Sequence, residues 1–382
     1  MGNLYEEKSI GAMAQVQRYI TFVPQTPVDE DEIAGFYRQL AGRMQNDGQY
    51  IVWEKAYGSL TFRPRLERIR RQCLDGEHRR HPITYLEGKP IKGDGLSGVV
   101  FYTISSPVTR YFAHRGTSTA VEYTVDASRR VYFSSGAADM PEEKTVSLRE
   151  QFVKGAGRWE ETMRAAGMPC NHLVRTWFYL SYIDRDYSLF NTLRRELFDR
   201  VGVDYTPSAN ELPASTCIGA KSPFADCELE FLCCDKQSAQ LSRVYNPDQN
   251  EADGAHYRYH PTFSRALLVC TKHFRELQIS GTASIGPQGD SMHCENPEEQ
   301  IRRTLRGVGN LLHNAGMDYS DIVTATCFFK RAEDARLFST LVREMNIASF
   351  PHVPVVGDVC RKELLFELDG IALQVHPAAD GQ

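Results

Sequence analysis

The sequence predicts an α+β protein made of tandem repeats, each a sheet with two helices packed on one face. Three observations carry this expectation. Residues 149–168 (Arg-Glu-Gln-Phe … Ala-Ala-Gly-Met) and 298–317 (Glu-Glu-Gln-Ile … Asn-Ala-Gly-Met) match without a gap, 149 positions apart. Within them Phe152, Ala156, Trp159 and Met163 fall on Ile301, Leu305, Val308 and Leu312. Steps of four, three and four mark one face of a helix. Each helix should stop at Gly167 or Gly316, since glycine favours the position just past a helix C-terminus. Directly after, residues 173–180 and 322–329 are rich in β-branched and aromatic side chains, which read as strands. A second helix then carries Phe190, Leu193 and Leu197 in one copy, and Phe338, Leu341 and Met345 in the other. Upstream, residues 131–138 parallel 277–284. Strands, helix, strand, helix, strands is the layout of a two-layer α+β unit.

The first hundred residues echo this pattern more faintly. Ile33 to Met44 is helical, with Phe36, Leu40 and Met44 four apart, and Tyr50 to Trp53 reads as a strand. Leu66, Ile69 and Cys73 repeat the spacing of Phe190, Leu193 and Leu197. Residues 82–88 and 98–102 resemble two closing strands. No opening hairpin is evident, so residues 1–98 read as a truncated half repeat. A Gly-rich bend at 89–98 precedes a second unit, 99–245. A polar linker at 235–260, with Asn246-Pro247-Asp248-Gln249-Asn250 as its turn cluster, leads to a third unit, 246–382, opening at Phe263-Ser264-Arg265-Ala266.

Composition narrows the function classes. The 382 residues are 42% hydrophobic with a formal net charge of -5. Nothing there favours a nucleic acid or an anionic membrane as partner. No apolar run approaches a membrane span, and the N-terminal stretch lacks the apolar segment of a signal peptide. The ten cysteines form no Cys-x-x-Cys pair, which speaks against a zinc site or a disulfide framework. A cytoplasmic protein with reduced thiols, no metal and no cofactor is expected.

The chemical signal lies in residues 350–377. They read as two strands, about Val353 to Val359 and Leu364 to Val375. Side chains on a strand alternate faces, so Leu365, Glu367 and Asp369 share one face, and Phe366, Leu368 and Gly370 the other. Two carboxylates on one face of an apolar strand are costly to bury without partners. They mark either a solvated sheet edge or a site. The corresponding strand of the middle repeat, Cys227 to Cys233, ends apolar, and its cleft is expected to be inert.

Several of these segments together resemble the Rid/YjgF-like domain: Ser280-Gly281-Thr282-Ala283-Ser284, the helix ending Ala315-Gly316-Met317, the strand Val323 to Lys330, and Phe366-Glu367-Leu368-Asp369-Gly370. The middle repeat resembles it too. The resemblance implies a chorismate-mutase-like α+β fold that forms trimers, with ligand sites in the clefts between domains. Here tandem copies would form a pseudo-trimer within one chain, as a monomer or a small homo-oligomer. Cys360-Arg361, Leu364 and Glu367-Leu368-Asp369-Gly370, with Phe263-Ser264-Arg265-Ala266, are most similar to the chorismatases. Those release pyruvate from chorismate and leave a dihydroxycyclohexadiene carboxylate or a hydroxybenzoate.

By that resemblance Glu367 is the proton donor, with Asp369 raising its pKa and Cys360 shaping the pocket towards an aromatic product. Arg361, Lys330 and Arg265 are candidate clamps for a small carboxylated substrate, because cations suit its two carboxylates. Gly281 and Ala283 would let a ring approach the backbone. The bland alternatives are a capped sheet edge for the acids, solvated strand-end cations and a buried structural thiol. The imine deaminases of the superfamily hold substrate with an arginine that would fall near His352 to Pro354, where this chain has none. A Rid-type deaminase and a non-catalytic ligand-binding protein remain the rival readings.

Overall fold

The structure is a computed structural model. It describes residues 5–12, 15–25, 28–76, 79–108, 110–136, 146–246, 248–249 and 261–376. The turn residues Pro247 and Asn250, the linker end at 251–260, and Ala137 and Ala138 lie outside them.

The first repeat runs β1 (Glu6–Ala12), β2 (Gln15–Phe22), α1 (Glu30–Asp47), β3 (Tyr50–Gly58), α2 (Arg63–Cys73), β4 (Ile83–Glu87) and β5 (Leu96–Ile104). Its sheet order is β1-β2-β5-β3-β4. The expected half repeat is therefore corrected: an opening hairpin is present, with Glu6 opposite Thr21 and Ala12 opposite Gln15. It escapes a hydrophobic scan because β1 is mostly polar and β2 turns Gln15 and Gln17 inward. Gln17 is fully buried and accepts a hydrogen bond from Tyr102 Oη at 2.7 Å. The expected boundary at 98 cuts β5, which closes this sheet.

The second repeat comprises β6 (Arg110–His114), β7 (Thr117–Val125), β8 (Ser128–Ser134), α3 (Leu148–Ala166), β9 (Leu173–Leu180), α4 (Ile183–Val201), β10 (Ala214–Gly219) and β11 (Cys227–Cys234). The third comprises β12 (Gln240–Val244), β13 (Ala266–Cys270), β14 (Phe274–Ala283), α5 (Pro297–Asn314), β15 (Ile322–Phe329), α6 (Ala335–Glu344), β16 (His352–Val356) and β17 (Phe366–Val375). Their sheet orders are β10-β9-β11-β8-β7-β6 and β12-β13-β14-β17-β15-β16. β12 lies inside the expected linker, but its backbone pairs with β13, from Gln240 opposite Cys270 to Val244 opposite Ala266. The strand belongs to the third sheet although only Leu241 and Val244 are buried.

The helix expectations hold. α3 begins on a capping box, Ser147 with Glu150, and ends at Gly167 with φ 63°, a left-handed conformation that costs glycine least. In each repeat the helices cover one sheet face, and three separate helix–sheet cores result. The opposite sheet faces of all three repeats meet in a fourth, central core. Tyr57, Tyr102, Trp177, Tyr179, Phe328 and Ile371 all contribute to it. Backbone hydrogen bonds tie each neighbouring pair: Glu87 N to Lys221 O (2.7 Å), Gly219 N to Asp358 O (2.7 Å) and Val356 N to Lys89 O (2.9 Å). One chain thus closes a three-membered ring of Rid-like units.

Candidate active site

Register fixes equivalence among the closing strands. Gly98 of β5 lies opposite Tyr57, Glu228 of β11 opposite Tyr179, and Glu367 of β17 opposite Phe328. Two residues on, Val100, Glu230 and Asp369 are likewise equivalent. The middle repeat therefore carries the same acid pair, which corrects the reading of its strand as apolar where it matters.

The three inter-repeat clefts differ in what surrounds these positions. A Cβ on Gly98 would lie 2.8 Å from Val353, so that cleft is filled by apolar side chains. Glu228 is buried and accepts hydrogen bonds from the hydroxyls of Ser135 (2.9 Å) and Ser222. The Glu367 cleft is open. It lies between the second and third repeats and is lined by Arg194, Ser215 and Cys217 on one side and Arg265, Glu367 and Cys360 on the other. Its cavity measures about 40 Å³.

Glu367 is 4% exposed. Burial pushes its carboxyl up to about 8, with Asp369 as the next cause and Arg265 and Arg175 opposing. A carboxyl in such a setting keeps its proton at neutral pH, which is the requirement for a general acid. Its seat depends on Gly281. The β14–β17 register shifts between Ile279 and Thr282, and a Cβ on Gly281 would fall on Glu367 Oε1. That close approach demands glycine. The glycine's role is thus to admit the acid, more than to admit a ring. Ala283 lines the cleft beside it.

Asp369 shares the face of Glu367 but not its surroundings. It points to the central core, beside a small cavity of about 30 Å³ shared with Lys55, Arg175 and Trp177. Its Oδ2 accepts from Arg175 Nη2 (3.0 Å), Trp177 Nε1 (3.1 Å) and Thr216 Oγ1 (2.9 Å). It touches no part of the cleft and acts on Glu367 only through charge.

Arg265 is buried in the cleft wall with its guanidinium 5.2 Å from the Phe263 ring centre. Arg361 lines the mouth and is tethered: its Nη1 donates to Gly289 O (2.7 Å) and Ser291 Oγ (3.3 Å). Lys330 is a correction. Its Nζ donates to Lys362 O at 3.0 Å at the surface, away from the cleft. It follows the last residue of β15 and is not among the residues that line the cleft. Cys360 lines the cavity; burial, then Glu367, pushes its thiol up to about 12. A thiol so protonated shapes a pocket and is a poor nucleophile.

Arg194 was missed. It is 2% exposed, donates from Nη2 to Asn191 Oδ1 (2.8 Å), and stacks 5.3 Å from Phe263, on the same ring as Arg265. Its buried Nε has no hydrogen-bond partner, and among the described residues it has no carboxylate partner. A signal existed: Arg194 lies four after Phe190 and three before Leu197, on the apolar stripe. An arginine there is either paired or waiting for an anion. Its counterpart in the first repeat, Arg70, is consumed by Glu54 at 2.6 Å.

A larger groove of about 700 Å³ lies elsewhere, between Gln49 and Tyr111. Its Arg110 is tied to Ala165 O at 3.0 Å, and among the described residues no carboxyl group lines it. The Glu367 cleft is therefore the candidate site. No described helix is long and apolar enough to cross a membrane.

Comparison with known proteins agrees with this architecture. The family model described as Endoribonuclease L-PSP matches residues 263–374, the third repeat. A solved chorismatase structure covers 95% of this chain and 100% of its own, with 18% identity and a TM-score of 0.63. The third repeat matches that family model, and the fold of the whole chain is similar to that of the chorismatase structure. Among curated proteins, the 3-hydroxybenzoate synthase of Streptomyces hygroscopicus is 26% identical over 253 residues, 58% of this chain and 72% of that protein. The structure of the YjgF gene product from E. coli covers 35% of this chain and 98% of its own, with 21% identity and a TM-score of 0.27.

Proposed function

We propose that the Glu367 cleft protonates the enol ether of chorismate and releases pyruvate. The observation that carries this reading is a buried carboxyl, Glu367, that lines one cleft with two buried guanidiniums, Arg194 and Arg265. That set suits a substrate with two carboxylates and an acid-sensitive carbon–carbon double bond. Glu367 gives its proton to the terminal vinyl carbon, which becomes the methyl group of pyruvate. The oxocarbenium ion so formed is captured by water or by the neighbouring ring hydroxyl. Collapse of that adduct frees pyruvate and leaves the ring as a dihydroxycyclohexadiene carboxylate or, with loss of water, 3-hydroxybenzoate. The carboxylate left on Glu367 is met by the positive field of Arg265 and Arg194, which stabilises it as it develops. The similarity to a chorismatase and to a 3-hydroxybenzoate synthase supports this substrate. Neither β10 nor β16 carries an arginine for the imine-deaminase clamp.

The cavity of about 40 Å³ holds water but not a cyclic dicarboxylate. Entry therefore requires the Arg361 tether to Gly289 to open, after which Arg361 is free to meet the ligand. Assays with chorismate, following pyruvate, test the reading. Arg194→Met should raise KM about tenfold or more, the loss expected for one charge-assisted hydrogen bond. An unchanged KM removes Arg194 as a carboxylate ligand. Cys360→Ala should shift the ring product towards the dihydroxycyclohexadiene carboxylate. The same product ratio in both proteins would show that the thiol does not steer the reaction.

A further inference from the structure

The hydroxyl of Thr216, on β10, makes three hydrogen bonds: with Arg175 Nη2 (2.6 Å), Gly281 N (3.0 Å) and Asp369 Oδ2 (2.9 Å). Arg175 and the Gly281 amide have only hydrogens to give. They fill both acceptor sites of the hydroxyl, whose single proton must then point at Asp369. Asp369 Oδ2 receives two further donors, Arg175 and Trp177. An oxygen facing three donors is an unprotonated acceptor. The donor count therefore makes Asp369 Oδ2 an acceptor only. The same hydroxyl also anchors the amide of Gly281, the residue whose missing Cβ leaves room for Glu367 Oε1.

We propose that Thr216 and Arg175 of the middle repeat are positioning residues for Glu367. They bind Asp369 Oδ2, two residues away on the same strand face, and the Thr216 hydroxyl seats the Gly281 bend against which Glu367 rests. This rests on the reading of Glu367 as the acid. The middle repeat then supplies no proton-transfer group, yet it sets the charge beside that group and the place of its carboxyl. The device is asymmetric within the ring. The equivalent position in the second closing strand, Glu230, pairs with a lysine, Lys55 at 2.7 Å, and the first has Val100.

The other groups facing Glu367 do not supply this charge. Arg265, before β13, Arg194, on α4, and Arg361, at the mouth, are cations that favour ionisation of a neighbouring carboxyl. Cys217 on β10 and Cys360 before β17 are buried thiols pushed upward by burial, hence neutral. Tyr187 on α4 lines the same cleft. Burial is the first cause of the raised Glu367 carboxyl, and Asp369 is the charge that adds to it.

The test titrates Glu367 directly, without substrate, by infrared difference spectroscopy of its protonated carboxyl, assigned by loss of the band in Glu367→Gln. In the wild type the band should vanish as pH rises through about 8. In Asp369→Asn the midpoint should fall by about one pH unit or more, the effect of removing a near like charge. Thr216→Val, which keeps the side-chain shape, should also lower the midpoint, and Thr216→Ser should restore it. On a turned-over substrate, Thr216→Val should lower kcat about tenfold with KM within about twofold. An unchanged midpoint in Asp369→Asn, or equal behaviour of Thr216→Val and Thr216→Ser, overturns the proposal. Expected titrations without pyruvate from chorismate would remove the substrate and leave this device standing.

Discussion

Glu367→Gln is expected to lower the proposed turnover of chorismate by about 10²- to 10⁴-fold, the usual contribution of a positioned general acid, while the protein stays folded. Glutamine keeps the shape and cannot release a proton. The same variant separates catalysis from stability. Folding raises the Glu367 carboxyl from an ordinary value of 4.5 to about 8. Its contribution to stability is fully present below pH 4.5 and is lost as pH rises through about 8. The span of 3.5 pH units between these values corresponds to a loss of at most roughly 5 kcal/mol. Glutamine has no such loss. Thermal unfolding followed from about pH 4.5 to about pH 8 should show the wild type losing stability relative to Glu367→Gln. Parallel curves would mean that Glu367 is not held protonated in the folded state, and full activity in the variant would remove it as the acid.

Arg175→Met is expected to cost about 3–5 kcal/mol of unfolding free energy, the range for breaking a buried ion pair by removing one partner. Arg175 is 1% exposed and Asp369 5%, and the two meet at 3.0 Å. Removing the cation leaves a carboxylate in the central core with only Trp177 and Thr216 as donors. Changing Asp369 to Asn in the same protein should recover part of the loss, because the stranded charge is gone. Denaturant unfolding of the single and double variants measures both. A loss under about 1 kcal/mol in Arg175→Met would place the pair in effectively solvated surroundings, contrary to its burial.

The sequence made the repeat architecture readable wherever an element had an apolar face and a clear end. The paired helices 149–168 and 298–317 and the strands 173–180 and 322–329 became α3, α5, β9 and β15 with ends within about two residues, the ordinary spread of such assignments. The N-terminal hairpin did not show, because β2 buries glutamines whose hydrogen-bond partners lie far along the chain. β12 did not show, because a short edge strand is specified by the backbone of β13 more than by its own side chains. At the site, Glu367, Arg265, Cys360, Arg361, Gly281 and Ala283 gather in one cleft, and Lys330 does not. What periodicity could not reveal is which face of β17 meets which repeat. Asp369 shares a strand face with Glu367, yet the twist of the sheet sends it to the central core. Arg194 and Thr216 come from the other side of an inter-repeat seam, and only the closure of the ring brings them to the acid.

The central claim is that Glu367 delivers a proton to the vinyl carbon of chorismate. Turnover in heavy water, with mass analysis of the pyruvate formed, tests it most directly. Pyruvate should carry one solvent deuterium in its methyl group and form together with a ring carboxylate, with almost none from Glu367→Gln. Absence of pyruvate, or pyruvate without solvent deuterium, would contradict it.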